Sequence, residues 1–318
     1  MTDQPVTEKK GMRPRAGFSL LELMASVAIL VTVTAVIMSG MMQMTKMQGT
    51  IANRTEMHSS VRSATELLQQ EIGQAGKVAL PGSPTLQTAV AAGNLGTSMS
   101  VNVSDGTGMF NGEQLTIDSG DNEETVTISS LSSNTFSASF TLTHAVGASV
   151  RVSGAFASGI VPTTATNGSG DFLLKLYGDI NDDGTLQYIE YKCDTAGGNL
   201  YRNVVSVASG ATKPSIDSSM VVLSNLQSNP PDPGTTTAAP CFKYQQKVVG
   251  SNTYVVDVSV TLTVQTQYRD PQTNQFQTET KALLNVSPRN IFEGWELASA
   301  GVTNRIQPMP STVTSLLP

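Results

Sequence analysis

The chain has 318 residues, 14% of them charged and 39% hydrophobic, and a net charge of −6. That length holds one large domain or two ordinary ones, and the hydrophobic fraction excludes disorder throughout. The acidic balance argues against a nucleic-acid partner, whose phosphates need a basic face, and two His with two Cys are too few for a Cys/His zinc cluster.

Residues 1–17 are polar and carry Lys9, Lys10, Arg13 and Arg15 against Asp3 and Glu8. Phe18-Ser-Leu-Leu-Glu22 comes next, followed by an uncharged run from Leu23 to Gln43. At about 1.5 Å per residue, roughly 20 such residues match a ~30 Å hydrocarbon core. Basic residues before the run predict an N-in, C-out orientation. The run is longer than the apolar stretch of a secretory signal peptide, and no Ala-x-Ala cleavage site closely follows it. A plain signal anchor leaves Glu22 unexplained, because a carboxylate costs about 2.5–3.5 kcal/mol at the centre of a span and somewhat less near its end.

Gly17-Phe18-Ser19-Leu20-Leu21-Glu22 resembles the prepilin processing site of type IV pilins and type II secretion pseudopilins. The resemblance implies cleavage between Gly17 and Phe18 by a membrane prepilin peptidase, N-methylation of Phe18, and pairing of Glu22 with a neighbouring subunit's terminal amine. A buried carboxylate is tolerable when paired, and a new α-amino group is a suitable partner.

Beyond the span, Met47, Ile51, Arg54, His58, Val61, Thr65, Leu68, Ile72 and Ala75 fall at alternating steps of four and three, one stripe of an amphipathic helix. No proline interrupts residues 18–80, so a single long helix is expected until Gly73, Gly76 and Pro81-Gly82 end it. The stretch from Leu67 to Gly76 is similar to the end of the long helix in PilW-like minor pilins and GspJ-like pseudopilins. His58 is expected to be a packed or solvated helix residue.

After Pro81 the composition shifts to Ser, Thr, Gly, Asn and Val. Short alternating runs at Met99–Val103, Gln114–Ile117, Thr125–Ile128, Thr135–Thr143 and Ser149–Val152 read as strands, and 97–153 as a small inserted antiparallel β module. His144 is expected in a loop. Residues 154–300 read as the β-sheet head, with strands at Leu173–Tyr177, Leu186–Lys192 and Asn199–Arg202. Tyr254 to Val264 alternates with Val256, Val258, Val260, Leu262 and Val264 on one face, and its partner strand reaches Val286. Gln227 to Ala239 reads as a Pro/Thr-rich surface loop, Trp295 as a packing anchor, and residues 301–318 as a tail, loose from Gln307 onward.

The twelve residues from Asp179 to Glu190 match the calcium-loop pattern D-x-[DN]-x-[DN]-G-x5-E. Asp179, Asn181, Asp183, the Thr185 carbonyl, Gln187 and Glu190 supply the hard oxygen ligands that Ca2+ requires, in a structural role. The flanking segments read as strands rather than helices, and the competing reading is an Asp/Asn/Gly-rich hairpin turn. Cys193 and Cys241 lie on the predicted periplasmic side and are candidates for a disulfide worth about 4 kcal/mol on the chain-entropy model, or for two buried thiols. No H-E-x-x-H, G-x-S-x-G, Walker or G-x-G-x-x-G pattern occurs, so no catalytic residues are assigned and a non-enzyme is expected.

The expected fold is α+β and pilin-like. It has a leader (1–17), a transmembrane half-helix (18–44) and an amphipathic half-helix (45–80) packed on an antiparallel head, with the extra β module. The expected role is a minor pilin at or near the tip of a type IV pilus. Its expected partners are other minor pilins, the major pilin, the prepilin peptidase and the inner-membrane assembly platform. It would sit in the inner membrane with its head periplasmic, and then on the cell-surface pilus. A minor pseudopilin of a type II secretion system and an adhesin using the 97–153 module are the alternatives. Removing a leader of charge +2 takes the net charge from −6 to −8.

Overall fold

A computed structural model describes Gly17 and residues 19–318; residues 1–16 of the leader and Phe18 lie outside the described residues. The chain divides into two compact units. One holds the chain up to Ala52 with the turn Asp270–Gln275, and the other holds Asn53–Arg269 with Phe276–Pro318.

Helix α1 spans Leu20–Gln74. Ser19 starts it: its hydroxyl and its carbonyl both accept the Glu22 amide, at 3.2 and 3.1 Å, satisfying a donor the first turn leaves open. In the first unit the helix is apolar on all sides, and Leu30 and Val36 are 64% and 73% exposed. An 18-residue window is long and apolar enough to cross a membrane, and none of it is buried. Thr50 Oγ1 donates to Asp270 Oδ1 at 2.7 Å within this unit.

In the second unit, α1 buries Met57, Val61, Ala64, Thr65, Leu68, Glu71 and Ile72. The expected stripe therefore holds from Val61 to Ala75, while Met47, Ile51, Arg54 and His58 are exposed. Arg54 bonds Gln277 and His58 pairs with Glu279 at 2.5 Å, so these two polar members of the stripe meet side chains at the surface. The helix ends where Gly76 takes φ +79°; a Cβ there would stand 2.6 Å from Ile291.

Six short strands follow: β1 Ser98–Asn102, β2 Gln114–Ile117, β3 Glu124–Thr127, β4 Ser130–Ser132, β5 Thr135–Ser139 and β6 Val150–Val152. They form two three-stranded antiparallel sheets, β1-β5-β4 and β3-β2-β6. Leu86, Val90, Val101, Leu115, Ile117, Phe136, Phe140 and Val150 share a core of their own. That core takes in Leu86 and Val90, ahead of residue 97. His144 is buried in the module and not in an open loop; its ring sits edge-on to Phe140 at 5.8 Å.

The head strands are β7 Ala155–Phe156, β8 Leu173–Gly178, β9 Gln187–Asp194, β10 Asn199–Ser206, β11 Val221–Ser224, β12 Leu226–Gln227, β13 Phe242–Val249, β14 Asn252–Gln265 and β15 Thr278–Val286. One antiparallel sheet has the order β11-β10-β9-β8; in the other, β14 pairs with β12, β13 and β15. Val256, Val258, Val260, Leu262 and Val264 are all buried, as their alternation predicts. They share the main core with Leu68 and Ile72 of α1 and Leu174, Leu176, Ile189 and Tyr191 of the other sheet.

Two regions differ from expectation. Helix α2, Arg289–Ser299, forms around the Trp295 segment and buries Ile291, Gly294 and Ala298, an i, i+3, i+7 face. The last residues are docked rather than loose: β16 Ile306–Gln307 pairs in parallel with β7, and α3 spans Ser311–Leu316. Val313, Leu316 and Leu317 are buried with Phe156, Tyr177 and Tyr188. Their i, i+3, i+4 spacing is a helix stripe too short to stand out between Pro308, Pro310 and the chain end.

Candidate functional site

The site with the most sequence information is the start of α1. Gly17 is exposed, Ser19 caps the helix, and Glu22 lies in its first turn with its side chain exposed. Among the described residues, no partner meets the Glu22 carboxylate. Three hydroxyls of the apolar segment are satisfied within the helix: Ser26 donates to the Glu22 carbonyl at 2.7 Å, Thr32 to Ala28 at 2.8 Å and Thr34 to Leu30 at 2.8 Å. A hydroxyl bonded to its own helix costs little in hydrocarbon, whereas an unpaired carboxylate costs much. Glu22 therefore stands out as the one acidic group in a stretch otherwise prepared for lipid.

Residues 12–38 match the family described as the prokaryotic N-terminal methylation motif. The chain carries the prepilin-type methylation motif of the pilin and pseudopilin superfamily. The match spans the Gly17–Phe18 junction, Glu22 and the first part of the bare apolar helix. Phe18, the expected methylation position in this prepilin-type motif, lies outside the described residues. No curated protein and no solved structure matches the chain.

The Asp179–Glu190 segment forms a turn between β8 and β9. Asp179 Oδ1 accepts the Asp183 amide at 3.0 Å, and Asp183 Oδ1 accepts the Thr185 amide at 2.8 Å. Gly184 takes φ +78°, and a Cβ there would meet Pro81 at 2.5 Å. The Lys77 ammonium pairs with Asp182 and stands 3.8 Å from Asp179 Oδ2, which is buried. Asn181, Asp183 and Thr185 are exposed, and Gln187 already begins β9 opposite Gly178. Glu190 lies three residues into that strand and faces Lys175 and Lys213, whose Nζ atoms are 3.4 and 2.9 Å from its Oε1. The strand thus carries the twelfth position toward Lys175 and Lys213, while Lys77 stands beside Asp179. Among the described residues no three His, Cys, Asp or Glu converge to hold a metal.

Cys193 at the end of β9 and Cys241 just before β13 form a disulfide with Cα atoms 6.5 Å apart, linking the two head sheets. Three polar clusters were not legible beforehand. Glu71 of α1 accepts Arg202 Nε of β10 at 3.0 Å and the Tyr191 hydroxyl of β9 at 2.5 Å, and is 4% exposed. Burial opposes the Arg202 charge, but Glu71 outweighs it and holds the guanidinium's pKa above its ordinary value. In the module, His144 Nε2 is 2.7 Å from Glu124 and Nδ1 3.3 Å from Asp118. Burial pushes the Glu124 carboxyl up, but bonds from Thr141, His144 and Leu142 bring it below its ordinary value. The third cluster, Lys175, Glu190 and Asn203, crosses β8, β9 and β10. For Glu71 alone a signal existed: Ala64, Leu68, Glu71 and Ala75 form a row at helical spacing.

Proposed function

We propose that the chain is a minor pilin of a type IV pilus, processed by prepilin peptidase between Gly17 and Phe18 and methylated on Phe18. The observation that carries this reading is the motif match over residues 12–38 at the head of a helix whose apolar half is bare. A folded β head behind such a helix has the architecture of a filament subunit anchored in the inner membrane before assembly. Glu22, the only acid in the apolar stretch, pairs with the new amine of a neighbouring subunit, which removes the cost of its burial. The disulfide between Cys193 and Cys241 suits a periplasmic head. The role is structural, with other pilins and the assembly platform as partners.

Deletion of the gene tests the reading: pili lost or sharply reduced, with the protein present in sheared filament fractions of the parent strain, is the expected result. Normal pili with lost protein secretion would instead assign a type II pseudopilus. Normal pili with lost surface attachment, reproduced by removing 97–153 alone, would assign an adhesin.

A further inference from the structure

A cleft of about 540 Å³ lies where the small β module meets the head. Two turns come together to make it: Thr107–Asn111, between β1 and β2, and Gly184-Thr185 at the end of the Asp179 turn. Glycine permits their approach. Gly108 and Gly184 take φ +84° and +78°, and a Cβ on either would stand within 2.9 Å of Pro81. The remaining walls are the end of β10 with the residues after it, and the start of α3.

The apolar part of the lining joins two cores: Met109 and Leu131 pack with the module, and Phe110, Leu186 and Val207 with the cluster under α3. The polar part is Thr107, Asn111, Thr185, Ser206, Ser209 and Ser311, all exposed. Among the described residues none of these six side chains bonds another group of the protein. On the module's outer sheet, by contrast, Ser100 pairs with Ser137 at 2.8 Å and Thr135 with Asn102 at 2.6 Å. Two aspartates hold the cleft's threonines in place: Asp105 Oδ1 accepts the Thr107 amide at 2.9 Å, and Asp183 Oδ1 the Thr185 amide at 2.8 Å. Neither carboxylate lines the cleft, and among the described residues no charged side chain does.

We propose that this cleft binds a neutral carbohydrate, an uncharged oligosaccharide segment. The volume falls within the range of small-molecule sites, and the junction of two packed parts is a usual place for one. A hydroxyl both donates and accepts, and so does a carboxamide, which matches sugar hydroxyls that do the same. The apolar C–H face of a sugar ring finds its counterpart in the half-buried Phe110 and its apolar neighbours. An anionic ligand finds no cation in the lining and meets a chain of net charge −6, while a cationic one finds no carboxylate there. A peptide added as a strand needs an open sheet edge, whereas turns and the start of α3 make up most of these walls. The Asp179 turn thereby gains a role in presenting Thr185 to a ligand.

The test applies the full chain, extracted from its membranes in a detergent without a sugar headgroup and fluorescently labelled, to an oligosaccharide array. The array carries neutral glycans of glucose, galactose, mannose and their N-acetylated amino sugars beside sialylated and sulfated ones. Binding to neutral members is expected. Asn111→Ala with Ser209→Ala should weaken it about tenfold, as the loss of two hydrogen bonds predicts. Thr185→Val should weaken it several-fold, and Ser100→Ala on the outer sheet should leave it unchanged. The cleft variants should melt with the wild type, because the side chains they remove bond nothing within the fold. Binding to no neutral glycan would overturn the proposal, as would binding confined to anionic glycans or binding that the cleft variants leave intact. Loss of pilus incorporation in those variants without any glycan binding would make the cleft an assembly contact and overturn it too. Glycan binding is read on the isolated protein, so it is decided separately from the role in a pilus.

Discussion

Glu71, Arg202 and Tyr191 show how a single carboxylate fixes the long helix onto its sheet. The carboxylate is 4% exposed and accepts from two strands, so removing one partner leaves a charge with little water to replace it. Glu71→Ala should therefore destabilise the head by about 3–5 kcal/mol. The double variant Glu71→Leu with Arg202→Met should cost much less, and chemical denaturation of both checks the difference. Glu113 behaves in the opposite way. It is fully buried, its Oε1 has no partner, and burial pushes its carboxyl up to about 8 against the opposing bond from the Phe110 amide. The unfolded chain ionises this group near its ordinary value of about 4.3. Between those two values the unfolded state has released the proton while the folded state keeps it, so stability falls as pH rises. Melting curves across pH 5 to 8 should show that loss, and Glu113→Gln should flatten it and raise the melting temperature at pH 7.5. Apart from Glu71, which lies in a row at helical spacing, none of these residues announces itself in the sequence. Their partners come from elements far apart in the chain, and spacing carries information only within one element.

Periodicity inside an element was far more legible. The eleven residues from Tyr254 to Val264 carry their own alternation, and β14 buries the face it marks. The second half of α1 was readable from Val61 onward, where its stripe meets the sheets, while Arg54 and His58 before it meet Gln277 and Glu279 at the surface. Helix α2 and helix α3 escaped notice because each buries only one short face, and α3 lies between prolines and the chain end. The Asp179 segment was legible as a turn, while strand geometry, absent from a motif pattern, turns Glu190 toward Lys175 and Lys213. Calcium should accordingly leave the melting temperature of the protein unchanged; a rise abolished by Asp179→Ala with Asp183→Ala would restore the calcium reading. The disulfide closes a sequence separation of 48 residues between the two head sheets. Its loss in Cys193→Ser with Cys241→Ser should cost about 4 kcal/mol on the chain-entropy model, read by denaturation with and without reductant.

At the scale of the whole molecule, the chain joins a bare apolar helix segment to a folded β-rich part, and the motif over residues 12–38 explains why the bare segment is tolerated. Such an exposed apolar surface is a liability in water and an asset in a bilayer or a bundle of like helices. Glu22 then discriminates between simple anchoring and assembly. Glu22→Ala should leave cleavage intact and membrane insertion equal or better, while incorporation into filaments falls several-fold in sheared fractions. Unchanged incorporation would remove the pairing role. This N-terminal logic was legible in the sequence because all its parts are consecutive: basic leader, Gly17, Phe18, Glu22 and the apolar run.

The central claim is tested most directly by the N-terminal peptide mass of the membrane-extracted protein, measured with and without the prepilin peptidase gene. The account predicts a peptide beginning at N-methylated Phe18 when the peptidase is present, and the intact leader from Met1 when it is absent. An intact leader in both strains would contradict it and reduce the segment to a plain membrane anchor.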